Sequence, residues 1–188
     1  MNNAQRLKIL NSTGKAVFTL KNFQDLWGSN PKSTKIIAKR MVDNKLITRI
    51  ERGYFSLDEE FNIYELANLV ISPSYVSLDS ALFYHGISFQ AKQTVTSVSL
   101  LNYERKAAGR VFRYYAMKGS LFFNLEGIHY KDNLAIASPE RAILDCLYFN
   151  FLPNIDNSDK ANLGQLKALS NFYPKTVQMK IRKYLVGP

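Results

Sequence analysis

The order of elements predicted for the first 57 residues constrains the fold of this chain more than any other feature. Residues 3–11 and Lys21–Trp27 have the apolar spacing of short amphipathic helices, and Ala16–Leu20 between them has the composition of a strand. A third helix is predicted over Pro31–Asn44, because Asn30 is a favourable N-cap residue and proline suits the first helical position.

A β-hairpin is predicted directly after the third helix. Leu46–Ile50 and Tyr54–Leu57 are rich in β-branched and aromatic residues, as strands are. Glu51–Gly53 between them suits a three-residue turn with glycine in the left-handed position. Three helices followed by a hairpin with arginine at its tip indicate a winged helix-turn-helix.

Positive charge is concentrated in the same 57 residues. They contain 11 of the 25 Lys and Arg residues but 3 of the 15 Asp and Glu residues, a net charge of +8, whereas residues 58–188 carry +2. This asymmetry indicates an anionic partner, and the predicted elements favour DNA over a membrane surface, which a long basic amphipathic helix would suit better. The acidic triplet Asp58–Glu60 marks the predicted boundary between a DNA-binding domain, 1–57, and a second domain, 58–188.

The predicted third helix has a basic side and an apolar side when successive residues are placed about 100° apart. The basic side contains Lys32, Lys35, Ile36, Lys39 and Arg40 together with the acidic Asp43, and the other side contains Thr34, Ile37, Ala38 and Met41. The apolar side is expected to pack on the first two helices, at Leu7, Leu10, Phe23 and Leu26.

The basic side is expected to enter the major groove of duplex DNA, which admits an α-helix and in which Arg and Lys most often contact guanine. The first residues of the helix would also offer backbone N–H groups to a phosphate. The predicted DNA-contacting residues are Lys32, Ser33, Thr34, Lys35, Lys39 and Arg40 on the helix and Arg49 and Arg52 on the hairpin. Ile36 in their midst is placed to touch a thymine methyl group.

Residues 58–188 predict an α+β domain with a small, mainly antiparallel sheet. Helices are expected over 62–71, 77–85, 138–149, 161–171 and 174–185, and strands over 94–101, 110–117, 127–130 and 133–137. In the helix that begins at Ser138, Arg141 and Asp145 are four residues apart and are expected to pair on the helix face.

Two segments of the second domain leave several interpretations open. The strand over 110–117 alternates arginine with aromatic residues, which suits either the two faces of a sheet or stacking on single-stranded nucleic acid. The last helix has Val177, Ile181 and Leu185 along one side and Lys175, Lys180, Arg182 and Lys183 elsewhere. Its basic side could face solvent, DNA or a protein partner.

No cofactor, metal or catalytic site is predicted. Cys146 is the single cysteine, and His85 and His129 lie 44 residues apart without ligand-spaced partners. The chain contains no P-loop, GxSxG or HExxH motif. The first residues lack the apolar run of a signal peptide, and no stretch reaches the ~20 apolar residues of a transmembrane helix. We therefore expect a cytoplasmic protein that is not an enzyme.

Two motifs about 85 residues apart resemble those of the AbiEi-type antitoxins and related predicted regulators of phage defence. Leu46–Phe55, LITRIERGYF, is similar to the basic-x-x-Arg-Gly-Tyr/Val-Tyr wing of that family, and Ser138–Asp145, SPERAILD, is similar to the Ser-Pro-Glu-Arg-Ala-x-x-Asp helix start of its second domain. The resemblance covers residues 4 to about 150. The chain departs from the family at Tyr54–Phe55, where Val-Tyr or Tyr-Tyr is common, and at Asn44–Lys45, where a glycine often ends the helix.

The resemblance implies a two-domain antitoxin of a toxin–antitoxin system in antiviral defence. The first domain would repress its own operon by binding inverted repeats in the promoter, and the second would help to counteract a nucleotidyltransferase-like toxin, directly or indirectly. The alternative is an interaction protein that neutralises a toxin by direct binding, without sequence-specific DNA binding.

Overall fold

Two units make up the chain in the computed structural model, Met1–Leu69 and Val70–Pro188. The structure describes residues 1–131 and 133–186, and in the last helix the side chains as far as Arg182. Lys183 and Leu185, which the sequence places on the two sides of that helix, lie outside the described side chains. The chain is α+β, as expected. The division falls later than residue 58, and a separate 1–57 domain stays a prediction.

The first unit contains each element predicted for residues 1–57, followed by one more helix. The elements are α1 Asn3–Ser12, β1 Val17–Thr19, α2 Leu20–Trp27, α3 Pro31–Asp43, β2 Thr48–Glu51, β3 Tyr54–Ser56 and α4 Ile63–Val70. Helix α2 ends at Gly28, whose φ of +60° is the left-handed conformation that glycine adopts at little cost.

The three strands of this unit form an antiparallel sheet in the order β1-β3-β2. The hairpin turn is shorter than the sequence predicts, because Glu51 still pairs with Tyr54 and leaves Arg52 and Gly53 as the connection. An irregularity between Arg49 and Glu51 takes up the additional residue. Gly53 has the expected positive φ, +91°.

One apolar core joins the helices to the sheet. It consists of Leu10, Phe18, Phe23, Trp27, Ala38, Met41, Ile47 and Phe55. The Phe23 ring lies 4.4 Å from the Trp27 ring and 5.2 Å from the Phe55 ring, centroid to centroid. The predicted docking of α3 is confirmed, since Leu10 and Phe23 lie in this core and Leu7 and Leu26 pack against it.

A buried carboxylate attaches helix α4 to the rest of the first unit. Glu65 is 3% exposed, and its side chain accepts hydrogen bonds from the backbone N–H groups of Ala16, at 3.1 Å, and Val17, at 3.2 Å. These two N–H groups stand at the start of β1, so that one glutamate satisfies donors that would otherwise lie buried without a partner.

The second unit contains a six-stranded sheet with helices around it. Its elements are β4 Ser74–Val76, α5 Leu78–Tyr84, β5 Thr94–Ser99, β6 Tyr103–Ala107, β7 Arg110–Ala116, α6 Gly119–Phe122, β8 Ile128–Lys131, β9 Leu134–Ala137, α7 Pro139–Tyr148, a 3-10 turn Ser158–Lys160, α8 Leu163–Ser170 and α9 Lys175–Val186. The strand order is β6-β7-β5-β4-β9-β8.

The sequence prediction of a small, mainly antiparallel sheet needs correction, because this sheet is larger and mixed. The pairs β4–β9 and β5–β7 are parallel, and the other three pairs are antiparallel. Strands β4 and β6 were not predicted. The first is too short for a periodic pattern, and the second is a polar edge strand with charged residues at its centre.

Candidate nucleic-acid interface

The start of α3 is held by hydrogen bonds of its own sequence. The Asn30 side chain accepts from the Ser33 N–H at 2.9 Å, as an N-cap residue does. The Thr34 hydroxyl donates to the Asn30 carbonyl at 2.9 Å and lies 2.7 Å from the Ser29 hydroxyl. Thr34 is fully buried, so its side chain fixes the helix start and does not reach the surface.

These contacts occupy most of the N–H groups that were expected to bind a phosphate. Pro31 has no N–H group, the Ser33 N–H bonds to Asn30, and the Thr34 N–H donates to the Asn30 carbonyl at 2.9 Å. In the described part of the chain, the Lys32 N–H is therefore the one in the first turn without a hydrogen-bond partner. Phosphate contact at this helix start would depend mainly on side chains.

Four cationic side chains of α3 are exposed without a counter-charge. They belong to Lys32, Lys35, Lys39 and Arg40, and among the residues that the structure describes no carboxylate oxygen lies within 4.0 Å of their nitrogen atoms. Lys21 on α2 differs, since its ammonium group lies 2.8 Å from Asp25. We call the four side chains the α3 cations.

The hairpin presents two more arginines. Arg52 lies in its turn, Arg49 lies on β2 opposite Phe55, and both are exposed. The hairpin and α3 pack on the same core, the first through Phe55 and the second through Met41. The structure thus places seven of the eight predicted contact residues wholly or partly at the surface of one unit, with Thr34 as the exception.

The overall charge asymmetry depends on where the chain is divided. Residues 1–69 contain 11 basic and seven acidic residues, a net charge of +4, because the Asp58–Glu60 triplet and Glu65 belong to the first unit. The triplet follows the end of β3 that pairs with Thr48, whereas Arg52 lies at the opposite end of the hairpin. Six of the 11 basic residues of this unit lie on α3 and the hairpin, and the other five lie elsewhere in the unit.

The SPERAILD motif of the second unit forms a buried polar network. Arg141 and Asp145 pair as expected, with Nε and Oδ1 3.4 Å apart, but both are fully buried instead of lying on an open helix face. Asp145 also accepts hydrogen bonds from the hydroxyls of Tyr75 at 3.1 Å, Ser77 at 2.7 Å and Tyr173 at 2.5 Å. The pair is thus surrounded by donors from two other segments of the chain, one that contains Tyr75 and Ser77 and one that contains Tyr173.

Arg141 also organises the segment before β8. Its guanidinium donates to the backbone carbonyls of Leu121, Asn124 and Glu126, each at 3.0 Å. Burial works to lower the pKa of Arg141, but the charge of Asp145 raises it above its ordinary value. Arg141 therefore stays charged, and it satisfies carbonyl groups that would otherwise be buried without a donor.

The carboxylate and the tyrosines around Arg141 are also shifted by burial. Burial raises the pKa of Asp145, and the Arg141 charge together with the three hydroxyls opposes that shift. Burial raises the pKa values of Tyr75 and Tyr173 well above 10, so both hydroxyls keep their protons and donate to Asp145. The network holds the interior of the unit together and offers no exposed group for chemistry.

Two other residues of the motif hold neighbouring elements. The Ser138 hydroxyl accepts from the Arg141 N–H at 3.2 Å and donates to Glu140 at 2.8 Å. The other Glu140 oxygen accepts from the Asn162 N–H at 2.7 Å, next to the start of α8. Glu140 therefore acts as a link between two helices and is only 4% exposed.

The aromatic residues of β7 serve the interior of the second unit. Phe112 and Tyr114 are buried, and Tyr115 packs against the rings of Phe149 and Phe151 at 5.4 and 5.2 Å. Arg113 is paired with a glutamate of β6 at 2.6 Å. These contacts favour the two faces of a sheet over stacking on single-stranded nucleic acid.

Helix α9 has the predicted apolar side, with Val177 and Ile181 buried. Lys175 and Arg182 are exposed, whereas the Lys180 ammonium donates to the Leu147 carbonyl at 3.1 Å and to the Asn150 side chain at 2.5 Å. One of the predicted basic residues is thus used to attach the helix.

Histidines and carboxylates do not form a metal-binding cluster in the described residues. Within residues 1–131 and 133–186, no three His, Cys, Asp or Glu side chains are grouped so that they could hold an ion. The His85 ring nitrogen Nε2 lies 2.8 Å from the Ala137 carbonyl, and burial lowers the pKa of His85. No helix in this described part is long and apolar enough to span a membrane.

No protein-family model matches this chain, and no curated protein is similar to it. The functional assignment therefore depends on the residues and contacts of the chain itself.

Proposed function

We propose that the first unit is a winged helix-turn-helix that binds duplex DNA, with α3 in the major groove and the β2–β3 hairpin as the wing. The observation that carries this proposal is the set of α3 cations, which are exposed and have no carboxylate partner in the described residues. A helix that is fixed to a core along one side and presents unpaired cations on the other suits a groove lined with phosphates.

The same proposal extends to a cytoplasmic repressor and antitoxin of a toxin–antitoxin operon. It is supported by the resemblance of LITRIERGYF and SPERAILD to motifs of the AbiEi-type antitoxins. The first motif forms the hairpin whose turn contains Arg52, a position suited to contact with DNA. The second motif is buried, so it supports a common fold of the second unit more than a common activity.

We expect the full-length protein to bind duplex DNA with a steep dependence on salt. Neutralising six phosphates, by the α3 cations with Arg49 and Arg52, would give a slope of about −5 in log K against log salt concentration. Affinity would then fall about 1,000-fold between about 50 and 200 mM salt. The measurement is a fluorescence-anisotropy titration of a duplex from upstream of its own coding region, with a scrambled duplex as control. Absence of binding to either duplex at about 50 mM salt would exclude the proposal.

The antitoxin role has a separate expected result. Coexpression with a nucleotidyltransferase-like toxin should restore growth, and a reporter behind the upstream DNA should be repressed by the protein alone. A pull-down at physiological salt distinguishes the two forms of the proposal. A stoichiometric complex with the toxin, together with an unrepressed reporter, would favour the alternative of direct neutralisation.

A further inference from the structure

Ile36 is an apolar side chain exposed in the middle of α3. Its side chain is 46% exposed, and in the first unit, where every residue is described, the other large apolar side chain exposed to this extent is Met1 at the terminus. A single exposed isoleucine is ordinary on a protein surface. The residues around Ile36 on the surface of α3 distinguish it from such a case.

Cationic and polar residues surround Ile36 on the helix surface. The helix positions three and four residues away on either side are neighbours of a given side chain. For Ile36 these positions are occupied by Lys32, Ser33, Lys39 and Arg40. Three of the four are unpaired α3 cations, so the apolar side chain of Ile36 is surrounded mainly by positive charge.

Folding of the unit does not account for an isoleucine at this position. The side of α3 that packs on the core is provided by Thr34, Ala38 and Met41, which are buried, and by Ile37. Isoleucine has a lower helix propensity than alanine, lysine or arginine. An exposed isoleucine also leaves apolar surface in water, which a polar residue would avoid.

We propose that Ile36 reads the 5-methyl group of a pyrimidine, normally thymine, in the major groove. This inference rests on the proposed function, in which α3 lies in that groove. The thymine methyl is the apolar group that a T·A pair presents there, and apolar side chains contact it. The surrounding cations would bind phosphates on either side and place Ile36 towards the base edges. Burying one methyl group changes affinity about fourfold.

The test removes the methyl group from the DNA and the side chain from the protein, separately and together. A preferred site is first selected from randomised duplexes with the full-length protein. Synthetic duplexes then carry uracil in place of thymine at one position each, a change that removes only the methyl group. We expect uracil at one or two positions to weaken binding about three- to fivefold. Ile36→Ala should bind the thymine and uracil duplexes equally at those positions.

Two matched controls separate base reading from a change in stability. Ile36→Val keeps branched methyl groups and should retain the preference for thymine over uracil. Ile36→Ala should leave the thermal unfolding midpoint unchanged or slightly raised, because alanine is the better helix former. Cytosine and 5-methylcytosine, placed at the sensitive position opposite guanine, show whether the methyl group is recognised apart from thymine.

The outcomes distinguish this inference from the proposed function. If uracil has no effect at any position, or if Ile36→Ala keeps the full sensitivity, Ile36 does not read a methyl group. Salt-dependent duplex binding without a preferred site would also contradict recognition of a methyl group by Ile36, while the proposal that the protein binds DNA would stand. A complete lack of duplex binding at low salt would reject the proposed function.

Discussion

Replacing Lys39 and Arg40 together with alanine is expected to weaken duplex binding about 10- to 100-fold. Both side chains are exposed on α3, and neither has a carboxylate partner among the described residues. Without these side chains the protein would make two fewer phosphate contacts that release counterions. The negative slope of log K against log salt concentration would therefore become less steep by about two. Stability should change by less than about 0.5 kcal/mol, because both positions are exposed and alanine favours a helix.

The matched control for this variant removes the same charge from other helices of the first unit. Lys8 on α1 and Lys21 on α2 are exposed, and Lys21 is already paired with Asp25. The double replacement of Lys8 and Lys21 with alanine lowers the net charge equally, so it should change affinity far less if α3 enters the groove. Equal losses in the two double variants would show that only the total charge of the unit matters.

Replacing Asp145 with asparagine is expected to lower the stability of the second unit by about 3–5 kcal/mol. The substitution keeps the size of the side chain, so the loss comes from leaving the buried charge of Arg141 without its partner. Arg141 cannot turn towards water, because its guanidinium is held by the Leu121, Asn124 and Glu126 carbonyls. Urea denaturation followed by circular dichroism measures the change.

Asp79 provides the control, since it forms a shorter but more exposed ion pair. Its carboxylate lies 2.6 Å from the Lys92 ammonium, and the two side chains are 30% and 47% exposed. Asp79→Asn should therefore cost no more than about 1 kcal/mol. If the two asparagine variants are equally stable, burial does not make the Arg141–Asp145 pair contribute more to the free energy of unfolding than the exposed pair does.

A milder variant keeps the prediction testable if Asp145→Asn fails to fold. Tyr173→Phe removes one hydroxyl that donates to Asp145 and should cost about 1.5–3 kcal/mol, the range for a hydrogen bond to a charged group. Trp27, the single tryptophan, lies in the core of the first unit, so its fluorescence reports on that unit during the same titration. An unchanged denaturation midpoint for Tyr173→Phe would contradict the contribution to stability that is proposed for the network.

The short-range features of the candidate interface were predictable from the sequence. The N-cap at Asn30, the proline at the first helical position and the two sides of α3 involve residues no more than four positions apart. Thr34 carried two different predictions. The helix period placed it on the apolar side of α3, and its full burial agrees with that placement and not with the contact to DNA expected from its polarity and its position near the helix start.

The buried network could be predicted only in part. The four-residue spacing of Arg141 and Asp145 indicates a pair in any helix, exposed or buried. Burial depends on Tyr75, Ser77 and Tyr173, which lie 70, 68 and 28 positions away from Asp145. No local pattern specifies such partners, because the sheet and α9 must pack before these residues meet.

The amino-acid sequence by itself determined the helices and hairpin of the first unit and the basic side of α3, because these follow from caps, turn residues and the period of a helix. Tertiary structure alone decided the mixed order of the six-stranded sheet, the burial of SPERAILD and the division of the chain after Leu69. That division also reassigned the acidic triplet to the first unit. These features arise from contacts between residues far apart in the chain, whose free energies depend on which surfaces are removed from water together.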